Sequence, residues 1–72
     1  MIRVLKVKCK EGLDYKKAGN FKGNEKYIAR YSKENNLVMK TGRGVWVRVN
    51  PEQAEKHFDI YGVFYVDSYH QI

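Results

Sequence analysis

Hydrophobic and polar residues alternate along several short segments of this chain. In Ile2–Cys9, apolar residues of one parity alternate with lysines of the other. The same period of two recurs in Lys26–Tyr31 and in residues 37–41 and 45–49. Such alternation places successive side chains on opposite faces of a sheet, so these segments predict four half-buried strands.

Glycine and asparagine residues mark the connections between these strands. Residues 10–25 contain three glycines and two asparagines, which predicts a long loop or an irregular hairpin. Residues 34–36 (Glu-Asn-Asn) and 42–44 (Gly-Arg-Gly) predict turns, since asparagine and glycine tolerate the left-handed backbone region.

The period changes at Asn50. Asn50 is a good helix cap, Pro51 suits the first helical position, and Gln53 is placed to close a capping box. Apolar residues then recur at helical spacing, which predicts a short helix over residues 51–58. Residues 60–66 are apolar on both parities and predict a last strand, with Gly62 as a bulge or a point of close approach.

The order of these elements is four strands, a short helix and a final strand. Short strands joined by tight turns must shield their edges, and curling into a barrel is one way to do so. The order predicts a mainly β fold, a five-stranded Src-homology-3-like barrel with a helix before the last strand. The alternative is an oligonucleotide-binding-type barrel, whose helix usually lies between strands three and four. We expect residues 1–72 to form a single small domain, which at this size buries about 60% of its unfolded surface.

Several short stretches resemble a known group of proteins. They are Val7-Lys8-Cys9, the stretch from Phe21 to Ala29, the glycine turn before Val45-Trp46-Val47, and the segment predicted to be helical. In these the chain resembles short, uncharacterised proteins encoded by phages and prophages of low-GC bacteria. The resemblance implies a small barrel of mobile-element origin. It supplies no activity and no functional residue, and the chain departs from the group by being basic and by having a longer final strand.

Charge is distributed unevenly along the chain. Residues 1–48 contain 13 Lys/Arg and 4 Asp/Glu, a net charge of +9, whereas residues 49–72 contain one lysine and four acidic residues, a net of −3. A basic body favours polyanions or acidic protein surfaces. Cys9 is the only cysteine, which is typical of a reducing compartment, and its parity predicts a buried side chain. No segment is long and apolar enough to span a membrane, so we expect no membrane partner and a cytoplasmic location.

The sequence shows no arrangement of residues that is typical of a catalytic or metal-binding site. The two histidines, His57 and His70, lack the spacing of a metal site, and neither Ser32 nor Ser68 lies in a nucleophile elbow. Glu52 and Glu55 share a face of a short exposed helix, where a solvated pair is the simpler interpretation. We therefore expect a binding protein with no enzymatic activity, metal or cofactor.

The outward-facing side of the middle strands carries the main functional hypothesis. If Ala29, Met39 and the three valines of residues 45–49 face inward, the opposite parity faces out. The predicted binding residues on that side are Lys26, Arg30, Lys40, Trp46 and Arg48, with Arg43 at a hairpin tip. Basic groups bind phosphates and exposed rings stack on bases, as in proteins that hold single-stranded nucleic acid. The alternatives are an ordinary solvated face with a packed tryptophan, or an assignment wrong by one residue that would bury Trp46.

The last strand offers a second surface. Tyr61, Val63 and Tyr65 lie in an aromatic and apolar edge strand, a composition typical of interfaces. The alternative to an interface is that the outer side of this strand packs under residues 10–25 of the same chain. Otherwise this strand would meet a second copy, giving a homodimer, or a host protein. The second functional hypothesis is therefore a protein-binding inhibitor of a host enzyme that handles nucleic acid or serves in defence.

Overall fold

The computed structural model describes residues 1–32, 34 and 36–72 of the chain. The predicted turn at residues 34–36 includes Asn35, which lies outside the described residues together with Lys33. The described residues form seven strands: β1 (Ile2–Cys9), β2 (Leu13–Asp14), β3 (Asn20–Phe21), β4 (Lys26–Tyr31), β5 (Leu37–Lys40), β6 (Trp46–Arg48) and β7 (Phe58–Val66). This part of the chain also contains one α-helix, α1 (Pro51–His57), and two 3₁₀ turns, η1 (Lys16–Ala18) and η2 (Tyr69–Gln71).

Five strands form one antiparallel sheet in the order β6-β5-β4-β1-β7, and β2 pairs with β3 in a separate ribbon. The mainly β fold and the short helix before the last strand are therefore confirmed. The predicted closure into a barrel is not found: within the described residues β6 and β7 are the two open edges of the sheet. The β2–β3 ribbon and α1 pack on the apolar side of the sheet. In a closed barrel, the strands of the sheet itself would cover that side.

The inner face of the sheet is the side that carries the core. Leu5, Val7 and Cys9 of β1 face the same way as Ala29 and Met39, as the strand parity predicts. Val47 packs against this core and Val49 is buried in it, whereas Val45, predicted to face inward, belongs to the turn before β6 and is exposed. Burial of Cys9 is confirmed, and its Sγ donates to the carbonyl of Glu11 at 3.0 Å.

Phe21 of β3 attaches the ribbon to the inner face. It is fully buried and packs edge-to-face against Tyr15, Tyr27 and Phe58, with ring centroids 5.9, 4.8 and 5.0 Å away. Burial of a phenylalanine contributes about 1.5–3 kcal/mol. The predicted irregular hairpin in residues 10–25 is thus confirmed as a short ribbon whose Phe21 side chain completes the core.

Helix α1 begins as the sequence predicts. The Asn50 side chain accepts a hydrogen bond from the backbone N–H of Gln53 at 2.8 Å, and Pro51 occupies the first turn. The Gln53 side chain does not return to the cap; it accepts instead from the Tyr15 hydroxyl at 3.2 Å, which ties the helix to the ribbon. No helix in the described residues has the length and apolar character to cross a membrane.

An irregularity in β7 separates its two halves. Lys6 pairs with Gly62 and Val7 pairs with Ile60, so Tyr61 is the extra residue of a bulge. A Cβ at Gly62 would lie 3.1 Å from Cδ of Lys6, so the absence of a side chain lets the lysine stem pack closely there. The irregularity predicted at Gly62 is therefore present, one residue away from the glycine itself.

Candidate nucleic-acid interface

The strand register assigns five of the six predicted binding residues to the outer face, the side of the sheet opposite the core. Arg30 lies opposite Val38, and Val38 lies opposite Arg48. Lys40 lies opposite Trp46. Lys26 shares the parity of Arg30 on β4. Because paired residues of an antiparallel sheet share a face, three neighbouring strands present these side chains together.

Arg43 does not join this face. Its guanidinium donates from Nη1 to the carbonyl of Lys17 at 3.1 Å, and its stem lies against Gly19. The reason lies in Thr41, whose buried hydroxyl donates to the carbonyl of Ala18 at 2.6 Å and accepts from the backbone of the β5–β6 turn. This link draws the hairpin tip towards η1, so Arg43 belongs to the packing of the ribbon.

Trp46 is half-buried on the outer face and is not part of the core. The guanidinium carbon of Arg30 lies 4.6 Å from the centre of the Trp46 ring and 4.3 Å from the centre of the Tyr69 ring of η2. Val4, the outward-facing neighbour of Arg30 on β1, is fully buried, so this part of the outer face is covered. The C-terminal turn η2 is thus part of the interface.

The other half of the outer face carries lysines. The Nζ of Lys6 lies 5.8 Å from the ring centre of Phe64, and the Nζ of Lys26 lies 5.5 Å from that of Tyr61. Together with Lys40 these two lysines line a shallow depression of about 390 Å³. Lys6 and Lys26 are exposed, and an aromatic ring lies beside the ammonium of each.

Few carboxylates balance these cations. Within the part of the chain that the structure describes, the ion pair found joins Lys10 to Asp59 at 3.5 Å, at an exposed site. Exposed pairs of this kind contribute little to stability. Lys6, Lys26, Arg30, Lys40 and Arg48 have no carboxylate within bridging distance among the described residues. The outer face therefore presents positive charge that an anion can neutralise.

The three residues predicted for a protein interface are all exposed, but they do not lie on one face. Val63 and Tyr65 have the parity of the inner face, since they pair with Leu5 and Arg3. Tyr61, the extra residue of the bulge, lies beside Lys26 on the outer face. The exposed fractions of Tyr61, Val63 and Tyr65 are 50%, 49% and 57%, so residues 10–25 do not cover this edge.

An apolar groove of about 580 Å³ lies where the inner face is incompletely covered, beside α1. Leu5, Leu37, Ala54 and Ile60 are among its lining residues. The sequence pattern does not reveal it, because the same residues read as ordinary core positions.

Sequence reasoning also missed three outer-face residues. Lys6 has the outward parity in β1, but that strand could be added to the face only once its position between β4 and β7 was known. Phe64 lies in a strand that is apolar on both parities, so its facing carried no signal. Tyr69 follows the last strand, and no pattern in the sequence indicates that η2 folds back over Arg30.

Comparison of the chain with protein-family models, with curated proteins and with solved structures finds no match. A function must therefore be argued from the geometry of the outer face and of the β7 edge.

Proposed function

We propose that this protein is a non-enzymatic binding module that holds single-stranded nucleic acid on its outer face. One observation carries the proposal: cations on adjacent strands stand beside aromatic rings, without carboxylate partners in the described residues. Phosphates supply the missing negative charge, and rings give bases a surface on which to stack. A sheet face that combines both groups suits a flexible strand better than a duplex, whose bases are already stacked.

The ring of Trp46 is the candidate stacking platform. Arg30 covers one side of the indole, so a base would stack on the other side. Base–aromatic stacking contributes about 1–3 kcal/mol per base. Lys6, Lys26 and Lys40 would contact the phosphates of neighbouring nucleotides in the lysine-lined depression.

The test is the binding of labelled single-stranded DNA and RNA, measured by fluorescence anisotropy over a series of salt concentrations. Binding should weaken linearly on a log–log scale, and Lys40→Ala should make the slope shallower by about 0.7, the value for one lost phosphate contact. Trp46→Leu should weaken binding by about 1–3 kcal/mol and leave the slope unchanged.

Lys56→Ala is the matched control. Lys56 is exposed on α1, away from the outer face, and its loss removes the same unit of charge. Failure of the folded wild-type protein to bind either nucleic acid at low salt would contradict the proposal. An equal effect of Lys40→Ala and Lys56→Ala would show that net charge, and not this face, attracts the strand.

The β7 edge favours a second candidate function. Nine residues of open edge carry exposed Ile60, Val63 and Tyr65 beside the apolar groove, and long apolar edges readily pair with another chain. The protein would then be an inhibitor that docks on a host nucleic-acid-handling or defence enzyme, or a homodimer joined through β7. Purification of partners from lysate with and without nuclease treatment separates the two functions, since only a protein contact survives the nuclease.

The biological setting belongs to the same proposal. The resemblance to short phage and prophage proteins supports a phage or prophage origin and action in the host cytoplasm. The order of the strands and the helix supports a relation to Src-homology-3-like folds.

A further inference from the structure

A cleft of about 400 Å³ lies on the outer face between two arginines. Its lining includes Arg30, Ser32, Val38, Arg48 and Tyr69. Val38 lies at its floor, between Arg30 and Arg48 in the strand register. Since neighbouring strands are about 4.8 Å apart, the two arginine backbones are roughly 10 Å apart. Two side chains of this length can converge on one small group from opposite sides.

Arg30 is held in a fixed orientation. Its guanidinium carbon lies 4.6 Å from the centre of the Trp46 ring and 4.3 Å from that of the Tyr69 ring, and its Nε is buried without a hydrogen-bond partner. The donors left for a ligand are therefore the two terminal nitrogens. No ion pair in the described residues engages these nitrogens. A guanidinium is planar and offers its donors in a fixed fork, which suits an oxyanion.

Other polar groups of the cleft help to determine whether it favours an anion or a cation. The Ser32 hydroxyl accepts from the backbone N–H of Asn36 at 3.3 Å, which leaves its own hydrogen to donate. Glu34 also lines the cleft, and its carboxylate accepts from the Asn36 side chain at 3.3 Å. Two guanidiniums and a hydroxyl outweigh one carboxylate, so the cleft as a whole favours an anion.

We propose that this arginine cleft is a binding site for a phosphate group. The source of the phosphate, a nucleic-acid strand, rests on the function proposed above; the cleft chemistry does not. Tyr69 acts here as a positioning residue, because it fixes Arg30 against Trp46 without contacting the phosphate.

The test uses the full chain and inorganic phosphate, titrated at constant ionic strength against chloride and followed by NMR. Phosphate should give saturable shifts at Arg30, Arg48 and Tyr69. Arg48→Gln should weaken binding by about tenfold, which corresponds to about 1.4 kcal/mol. Arg30→Lys should do the same, because lysine keeps the charge but loses the planar fork. Glu34→Gln should strengthen binding.

Two comparisons keep the result specific. Lys8→Gln removes one charge from the outer face outside the cleft and should change phosphate affinity little. Tyr69→Phe keeps the ring and should bind phosphate as the wild type does, whereas Tyr69→Leu should bind it more weakly. The absence of saturable shifts in the folded wild type, or equal losses in Lys8→Gln and Arg48→Gln, would overturn the inference.

Oligonucleotides with and without a 5′-phosphate then identify the source. If the 5′-phosphate raises the affinity of the oligonucleotide and Arg48→Gln abolishes this gain, the cleft binds a terminal phosphate. If Arg48→Gln lowers the affinity of both oligonucleotides equally, the cleft binds a backbone phosphate. Saturable phosphate binding without oligonucleotide binding would uphold the cleft and refute the proposed function. Oligonucleotide binding that Arg30→Lys and Arg48→Gln leave unchanged would refute nucleic acid as the source of the phosphate and leave the proposed function standing.

Discussion

Phe21 is the residue on which the packing of the β2–β3 ribbon most depends. It is buried and makes three edge-to-face ring contacts. A Phe→Ala change in a core costs about 3–5 kcal/mol. At about 0.05–0.15 kcal/mol per residue, a chain of 72 residues has a total stability of roughly 4–11 kcal/mol. At the lower end of that range Phe21→Ala would leave little or no folded protein, so Phe21→Leu is the more informative change.

Leucine at position 21 retains most of the apolar burial and loses the three ring–ring contacts. Each such pair contributes about 0.5–1.5 kcal/mol, so even the lower limit predicts a loss of about 1.5 kcal/mol. The measurement is urea-induced unfolding, followed by both Trp46 fluorescence and far-ultraviolet circular dichroism. The midpoint should fall in both signals, while the slope with urea stays constant.

Phe64→Leu makes the same chemical change on the outer face. Phe64 is half-buried and its ring lies beside the Lys6 ammonium, a type of contact that contributes about 0.5–1 kcal/mol at exposed sites. The Phe64 variant should therefore lose less stability than the Phe21 variant. Equal losses in the two variants would refute the packing of the ribbon through Phe21.

Two further predictions concern buried polar groups. Thr41→Val should lower the free energy of unfolding by about 1–3 kcal/mol, because the Ala18 carbonyl loses its hydrogen-bond donor. Thr41→Ser keeps the hydroxyl and should restore most of this loss. If Thr41→Val leaves the free energy of unfolding unchanged, the hydrogen bond between Thr41 and Ala18 does not stabilise the fold. Burial raises the pKa of the Cys9 thiol above its ordinary value of 9.0, so the unfolded chain loses this proton first and stability should decline as the pH rises past 9.0. That decline should be smaller in Cys9→Ala. Thiol reagents should label Cys9 far more slowly in the native protein than in the urea-unfolded chain. Rapid labelling of the native protein would mean that the Cys9 side of β1 faces away from the core.

Local patterns were sufficient to predict most of the secondary structure. The alternation in β1 and β4 predicted both strands with their observed bounds, and the Asn50-Pro51 signal placed the start of α1. These features depend on neighbouring residues alone: side-chain alternation follows from strand geometry, and a helix cap satisfies backbone groups within one turn.

The facing of the side chains was also predictable. Within one strand, the parity that buries Ala29 and Met39 must turn Arg30 and Lys40 outward, so the outward position of most proposed binding residues followed from the sequence. Arg43 was the exception, because a turn residue has no parity and its direction depends on the hydrogen bond between Thr41 and η1.

Long-range packing decided the rest. The position of β1 beside β7 and the folding of Tyr69 over Arg30 each join segments far apart in the chain, and whether β6 pairs with β7 depends on the same long-range packing. The sequence by itself determined where most of the strands and the helix lie, where each of these strands is apolar, and that the chain is basic. Only the tertiary structure decided that the sheet stays open and that two arginines share a cleft, because such contacts depend on how whole elements pack, and no local period encodes that.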